Sequence, residues 1–593
     1  MPFEIQESVS AAQTQPSALQ EEWFRTPVPE ARTPSPEART QTPPATAPSL
    51  EAPRATTSVE QGQPTARDAT ADGSERPAPA ARAEGEKTQW TVAINLAANG
   101  TFNAENLGAD AQWRRLQQLA EQTKGTPVDL VVQLTQGEAR GKHASTGNGA
   151  SVQRYLVSNG QIRQIHDGPS RGMAGDVTDL LRAANEVSPS QQLALIQQSH
   201  GAGTDGVEGA AGSATLPEFS AAIKAGLEGS NHERLDLIDF NACSMGATSV
   251  VDQMSRVANH MVASSEVELG APDGAYDGQN IQHTLSQLLK NPNVTPSEFA
   301  RNMVMQAAQG HNDGFNSASN ERGSGTPTLS HYDLQRLPEF NNSMNRFGEE
   351  LAAAVSENPT NIAAIDRAIE GATVLPRNGT TMGGAPNENR DLTNFANNVI
   401  NEIDSEKITD ADGSLREAAR HMLATQRVLQ PEYHGSAEGG YDKLGGLNAF
   451  LPDLELRDPA RDASPNINPV DQILQQTEND NSFATMKHRD VVVHNITEEL
   501  ADVERLIGSA HPEALENLRQ DLEAVKRATN EEQFRTALNA MNARTKTLNE
   551  GQLGVDIDAA ARREVRDRYF RNEAIASMPG WQSFMESLRM ARP

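Results

Sequence analysis

The spacing of apolar positions changes twice along the chain. From about Trp90, short runs rich in β-branched residues recur: WTVAINLAANG (Trp90 to Gly100), VDLVVQL (Val128 to Leu134), LALIQQSHG (Leu193 to Gly201), LDLIDFNAC (Leu235 to Cys243) and MVASSE (Met261 to Glu266). Runs of this length read as buried strands, and the first stops at an Asn-Gly turn. Between them, Asp176 to Ala184 and Leu216 to Leu227 are long enough for crossover helices, and Leu116 and Leu119 start a helical spacing. Strands alternating with helices predict an α/β fold, with a mostly parallel sheet flanked by helices and ligands bound at the carboxyl ends of the strands. His200 and Cys243 both sit at such ends. Further on, GGLNAFLP (Gly445 to Pro452) reads as one more strand before a proline stop.

Beyond that proline the period becomes helical. Ile496, Leu500, Val503 and Ile507 form one stripe, Leu515, Leu518, Leu522 and Val525 a second, and Phe534, Leu538 and Met541 a third. Three amphipathic helices predict a small all-α module without evident chemistry of its own. Ahead of Trp90 no such period exists. That stretch is dense in Pro, Ala, Thr, Gln and Glu, and too poor in large apolar side chains to offset its ordering entropy. The expected division is a disordered Pro-rich segment over 1–87, a folded α/β unit over 88–455, a linker over 456–475 and a helical module over 476–593. Within the first segment RTPVPEA is followed directly by RTPSPEA, and Trp23 and Phe24 are adjacent. These fit either an inert linker or a docking strip for a secretion chaperone or a Pro-reading domain.

Charge and cysteine content narrow the function. A formal net charge of -29 repels phosphate backbones, so neither nucleic acid nor an anionic membrane is an expected partner. No run is long and apolar enough to span a bilayer, and MPFEIQESVS lacks the basic and apolar regions of a Sec signal. A cytoplasmic location and export by a non-Sec route, including delivery into a host cell as a bacterial effector, both fit. The single cysteine, Cys243, rules out an internal disulfide and a multi-thiolate zinc site.

A lone buried cysteine is often mere filling. Its surroundings argue otherwise. A thiol attacks an amide as thiolate and needs a base and oxyanion donors. His200 ends one strand and precedes Gly201-Ala202-Gly203, a loop that lets backbone N–H groups approach a carbonyl; Cys243 ends the next strand, ahead of a helical spacing that would place it near the positive end of a helix dipole. One crossover helix fits between them, so neighbouring parallel strands would bring both to one sheet edge. His166, His260, His311, His331, His434 and His494 lack Cys or carboxylate at ligand spacing and read as ordinary.

The opening WTVAINLAANG, the pair LIQQSHG and DFNACSMG, then SSEVELGAPDGAYD (Ser264 to Asp277), TLSHYDLQRL (Thr328 to Leu337) and GGLNAFLP resemble, in order and context, the landmarks of clostripain-like cysteine peptidases. The resemblance spans roughly Trp90 to Pro452 and implies the caspase-hemoglobinase fold and a cysteine endopeptidase working through a thioester acyl-enzyme. It implies His200 as base, Cys243 as nucleophile, the N–H groups of Gly201 and Cys243 as oxyanion hole, and Asn241, Ser264, Glu266 and Asp273 as substrate-binding residues. The substrate is then a protein or peptide. The family usually has Asp where Asn241 stands, so a basic P1 preference does not carry over, although Asp273 or Asp277 could restore the charge. Asp239 points the same way as Asn241 but deeper, into the core. No cofactor is expected; calcium dependence occurs in the family, but the clusters at His311 to Asp313 and Asp410 to Asp412 do not match a calcium loop. Self-processing also occurs in relatives, and Gly201 to Arg234, with its Gly-rich start, is the expected flexible place for a nick. Two other readings remain: a caspase-fold pseudoenzyme or interaction scaffold, and an acyltransferase using the same Cys-His pair.

Overall fold

The apolar runs become the centre of one sheet. The computed structural model describes residues 88–97, 116–136, 150–209, 212–268, 281–312, 327–375, 389–451, most of 470–560, and 578–590. The 1–87 segment, Asp273, Asp277 and most of the 456–475 linker lie outside the described residues. In chain order the strands are β1 (Thr88–Leu96), β2 (Val128–Gln136), β3 (Ser151–Ser158), β4 (Gln161–Pro169), β5 (Ser190–Gln198), β6 (His200–Gly201), β7 (Val207–Gly209), β8 (Gly212–Ala214), β9 (Leu235–Asn241), β10 (Ala258–Ala263), β11 (Thr328–Asp333), β12 (Asn389–Asp391), β13 (Glu432–Gly435) and β14 (Asn448–Phe450). Among them a nine-stranded sheet has the order β13-β11-β10-β9-β5-β1-β2-β3-β4. Its five central strands, β2, β1, β5, β9 and β10, are parallel; only β3 and β11 run against the rest.

The helices are α1 (Gly172–Val187), α2 (Leu216–Leu227), α3 (Thr248–Met254), α4 (Ile281–Lys290), α5 (Pro296–Asn312), α6 (Leu337–Glu357), α7 (Asn361–Glu370), α8 (Leu392–Asp404), α9 (Ser414–Leu429), α10 (Arg489–Ile507), α11 (Pro512–Arg527), α12 (Glu531–Asn549) and α13 (Pro579–Met590). The crossover helix α2 starts at Thr215, whose side chain accepts from the N–H of Glu218 while Glu218 reaches back, a capping box with Pro217 in the first turn. Side-chain alternation splits β9 between two cores. Ile238 and Phe240 join α1, α2, α3 and α6 to α9 on one face, while Leu237 faces α4 and α5 on the other. The result is the expected mostly parallel sheet with helices on both faces.

Two parts escape a hydrophobicity reading. The β3–β4 hairpin turns at Asn159 and Gly160, both left-handed at φ 47° and 79°, as a two-residue turn between twisted strands requires. Its second strand buries none of its residues, so no apolar period marks it. The helices α10, α11 and α12 close their own core with the three stripes seen in the sequence. The last helix, α13, does not join them: Trp581, Phe584 and Leu588 enter the first core against α6. Trp581 lies 6.3 Å from the Phe347 ring and 5.3 Å from that of Phe584.

Candidate active site

β5 and β9 are neighbours, in register from Ala194 opposite Leu237 to Gln198 opposite Asn241. Their carboxyl ends therefore emerge side by side, carrying His200 two residues past one end and Cys243 two past the other. Gly201 fixes how closely they meet. A Cβ built on Gly201 would collide with the carbonyl oxygen of Cys243 and stand 2.9 Å from its nitrogen. Only a residue without a side chain lets these backbones touch. The two amides assigned to the oxyanion hole thus belong to adjoining backbones.

The stretch after His200 is not the loose loop expected from its glycines. It folds into a three-stranded sheet in which His200 faces Glu208, Gly201 faces Val207, and Val207 faces Ala214. Backbone pairing replaces the hydrophobic pattern there, so apolar spacing gives no sign of it.

Nor does Cys243 open a helix. The helix begins at Thr248, and the intervening residues form a turn with Ser244 left-handed at φ 63°. Backbone bonds explain the delay. Ser244 N–H donates to the Glu266 carbonyl at 3.0 Å and Gly246 N–H to the Ser264 carbonyl at 2.7 Å, which spends the turn on the segment after β10. The helix dipole is therefore not the donor beside the sulfur. That place is taken by the N–H of Glu268, 3.4 Å from Cys243 Sγ. Val267 packs against the thiol, and Cys243 is 6% exposed.

Ser264 and Glu266 frame the same segment, both buried. Ser264 Oγ donates to the Glu266 carbonyl at 3.0 Å and shares a hydrogen bond of 2.9 Å with Thr328 Oγ1. The Glu266 carboxylate accepts from Val267 N–H at 2.8 Å and from Tyr441 Oη at 3.3 Å. Asn241, the last residue of β9, is fully buried, as is Asp239 two residues deeper. Glu268, buried beside the sulfur, was missed in the sequence; its place in SSEVELG carries no pattern that distinguishes it from a solvated acid.

Burial holds the His200 imidazole below the ordinary histidine value, so it stays neutral at pH 7 and can accept a proton. Two histidines read as ordinary form a chain elsewhere on the sheet: His260 Nδ1 meets His331 Nε2 at 3.1 Å, and His331 Nδ1 meets Glu432 Oε2 at 2.5 Å. Their separation in sequence hides it. Among the described residues no group of three or more His, Cys, Asp or Glu is placed to hold a metal ion, and no helix is long and apolar enough to cross a membrane. Asp410 accepts the N–H groups of Leu415 and Arg416, which makes it a helix-start acceptor.

A model of the clostripain family, peptidase group C11, matches residues 189–425. No curated protein matches the chain. Among solved structures, a secreted C11 cysteine protease from Bacteroides thetaiotaomicron is similar at 12% identity, over 61% of this chain and 94% of that one, with a TM-score of 0.39. An inactive zymogen C11 protease from Parabacteroides distasonis is similar at 13% identity over 62% and 93%, with a TM-score of 0.40. The family match, which begins just before β5 and spans both His200 and Cys243, is the more direct of these findings.

Proposed function

We propose, from the match of residues 189–425 to the clostripain family of cysteine peptidases, that this chain is an endopeptidase in which Cys243 is the nucleophile and His200 its base. The observation that carries the reading is the contact of the Gly201 backbone with that of Cys243 at the carboxyl edge of two neighbouring parallel strands. His200 takes the thiol proton as sulfur attacks the peptide carbonyl carbon. The N–H groups of Gly201 and Cys243 receive the oxyanion. Collapse breaks the C–N bond, His200 passes its proton to the leaving amine, and the acyl group remains as a thioester. Water, deprotonated by His200, then releases the acid and restores the thiol. Ser264 and Glu266 hold the segment along which the substrate lies, and Asn241 sits at the foot of the P1 pocket.

The test is a peptide-linked electrophile directed at thiols, applied to wild type, Cys243→Ala and His200→Ala beside a cleavage assay. Labelling of Cys243 with cleavage in the wild type only is the expected result. An unlabelled Cys243 would refute the enzyme and favour an interaction scaffold. Labelling without proteolysis would point to an acyltransferase.

A further inference from the structure

Asp391 lies far from Cys243 in sequence and outside the six landmark motifs, yet its carboxylate ends a chain of contacts that reaches both arms of the site. It is the last residue of β12 and fully buried. Its Oδ1 accepts the N–H of Asn394 at 2.8 Å and so caps α8. Capping needs no more than that oxygen. Oδ2 is turned the other way and accepts two successive N–H groups, Gly445 at 2.9 Å and Gly446 at 3.0 Å.

The loop held in this way grips the site at two points. The Gly446 carbonyl accepts from Ser265 Oγ at 2.5 Å and Tyr332 Oη at 2.6 Å, which ties down the segment that carries Ser264 and Glu266. Two residues on, Asn448 N–H donates to the Gly246 carbonyl at 3.0 Å, inside the turn that carries Cys243, while Asn448 Nδ2 donates to the Ser265 carbonyl at 3.3 Å. Gly446 is left-handed at φ 71°, and a Cβ there would collide with the Tyr433 ring. The loop is thus shaped to present one carbonyl and one asparagine to the two arms, and a single carboxylate orients it.

We propose that Asp391 is a positioning residue of the active site, acting through Gly445, Gly446 and Asn448 to hold the Cys243 turn and the Ser264–Glu266 segment in one fixed relation. The proposal rests on the reading of Cys243 as nucleophile for its effect on rate, but not for its effect on structure. An acid is needed at this position because both oxygens must accept. An amide of the same shape would turn an NH₂ group against N–H donors on one side or the other. Burial raises the Asp391 carboxyl to about 6. Around it stand the backbone N–H groups of the loop and of α8, the hydroxyl of Tyr332 from β11, and from β12 itself Arg390, whose guanidinium donates to the Leu451 and Ala372 carbonyls.

The experiment compares Asp391→Asn, Ser265→Ala and Tyr332→Phe with the wild type. Amide exchange, measured in the full chain on a Cys243→Ala background, should rise about tenfold or more over 243–248 and 262–268 in Asp391→Asn at pH 7.5, with α1 and α2 unchanged. The excess over the background should shrink below about pH 6, where Asp391 is itself protonated. In the active chain kcat/KM should fall about 10- to 100-fold with kcat carrying most of the loss, the scale of a displacement near 1 Å at the reacting group. Ser265→Ala and Tyr332→Phe each remove one donor to Gly446 and should give smaller losses of about 3- to 10-fold in the same direction. These two variants carry the test if Asp391→Asn does not fold. Exchange that is unchanged in the two segments, or raised equally throughout, overturns the proposal, as does an unchanged kcat/KM in all three. Failure of the nucleophile assignment would appear separately, as cleavage by Cys243→Ala itself.

Discussion

Replacing Gly201 by Ala adds one methyl group where the two halves of the site touch. The new Cβ would fall 2.9 Å from the nitrogen and 3.0 Å from the carbonyl carbon of Cys243, and inside the radius of its oxygen. Carbon in van der Waals contact sits about 3.5 to 4.0 Å from such atoms. The backbones must therefore part by roughly 1 Å, and both are anchored: Gly201 by pairing with Val207, the Cys243 turn by its bonds to Ser264 and Glu266. Overpacking of this kind costs about 1 to 3 kcal/mol of stability. Activity should suffer more, because a displacement near 1 Å between the proposed nucleophile and its proposed base costs about 100-fold. The measurement is kcat/KM on a peptide substrate beside a denaturation curve. Gly229→Ala is the control; that residue is left-handed at φ 79° with nothing within 4 Å of its added Cβ, so it should cost about 1 kcal/mol and leave kcat/KM intact. Wild-type activity in Gly201→Ala would show that the contact does not set the catalytic geometry.

Other outcomes follow from the same contacts. Cys243→Ala and His200→Ala should each abolish cleavage while shifting stability by less than about 2 kcal/mol; a much larger loss would mean that packing had been mistaken for chemistry. The wild type should prefer neutral or small polar P1 residues to Arg, because Asn241 offers no charge, and Asn241→Asp should shift the preference toward Arg by about 2 to 4 kcal/mol. A wild type that already favours Arg strongly would show that Asp273, Asp277 or another acid fills the pocket. Trp581→Ala should cost about 3 to 5 kcal/mol in chemical denaturation, since its ring lies wholly within the first core; a loss below about 1 kcal/mol would show that α13 is dispensable. Burial holds His331 below the ordinary imidazole value, so the unfolded chain binds more protons below about pH 6.5 and the stability His331 brings is lost as pH falls from there. The stability advantage of wild type over His331→Gln should therefore shrink between pH 7 and 5.5, and an advantage that grows would contradict that sign.

Legibility in the sequence followed how local each signal is. The central strands and α2 carry uninterrupted apolar runs bounded by turn residues, and each was readable without its partners. Their adjacency followed from one crossover between His200 and Cys243. The hairpin of β3 and β4 went unread because β4 buries no side chain, leaving only the Ser-Asn-Gly at its turn. The α13 stripe is helical in period, but which core receives Trp581 depends on a groove built by α6 and α8, far away in the chain. Helix propensity after Cys243 pointed to an early start. Bonds to Ser264 and Glu266 delayed it, a tertiary effect that overrides local preference.

The turn after Cys243 shows why strand ends alone do not make this site. Ser244 occupies the left-handed region, which costs a residue with a side chain about 1 to 2 kcal/mol. A free turn would relax by returning Ser244 to the right-handed region, and the Cys243 backbone would lose its contact with Gly201. Three contacts oppose that relaxation: Ser244 N–H on Glu266, Gly246 N–H on Ser264, and the Gly246 carbonyl on Asn448. Two come from the segment after β10 and the third from the loop that Asp391 orients. At about 1 kcal/mol each, such bonds outweigh the strain only when they act together. The parallel strands bring Cys243 to the right edge, and the more distant segments keep its turn in a conformation it would otherwise leave.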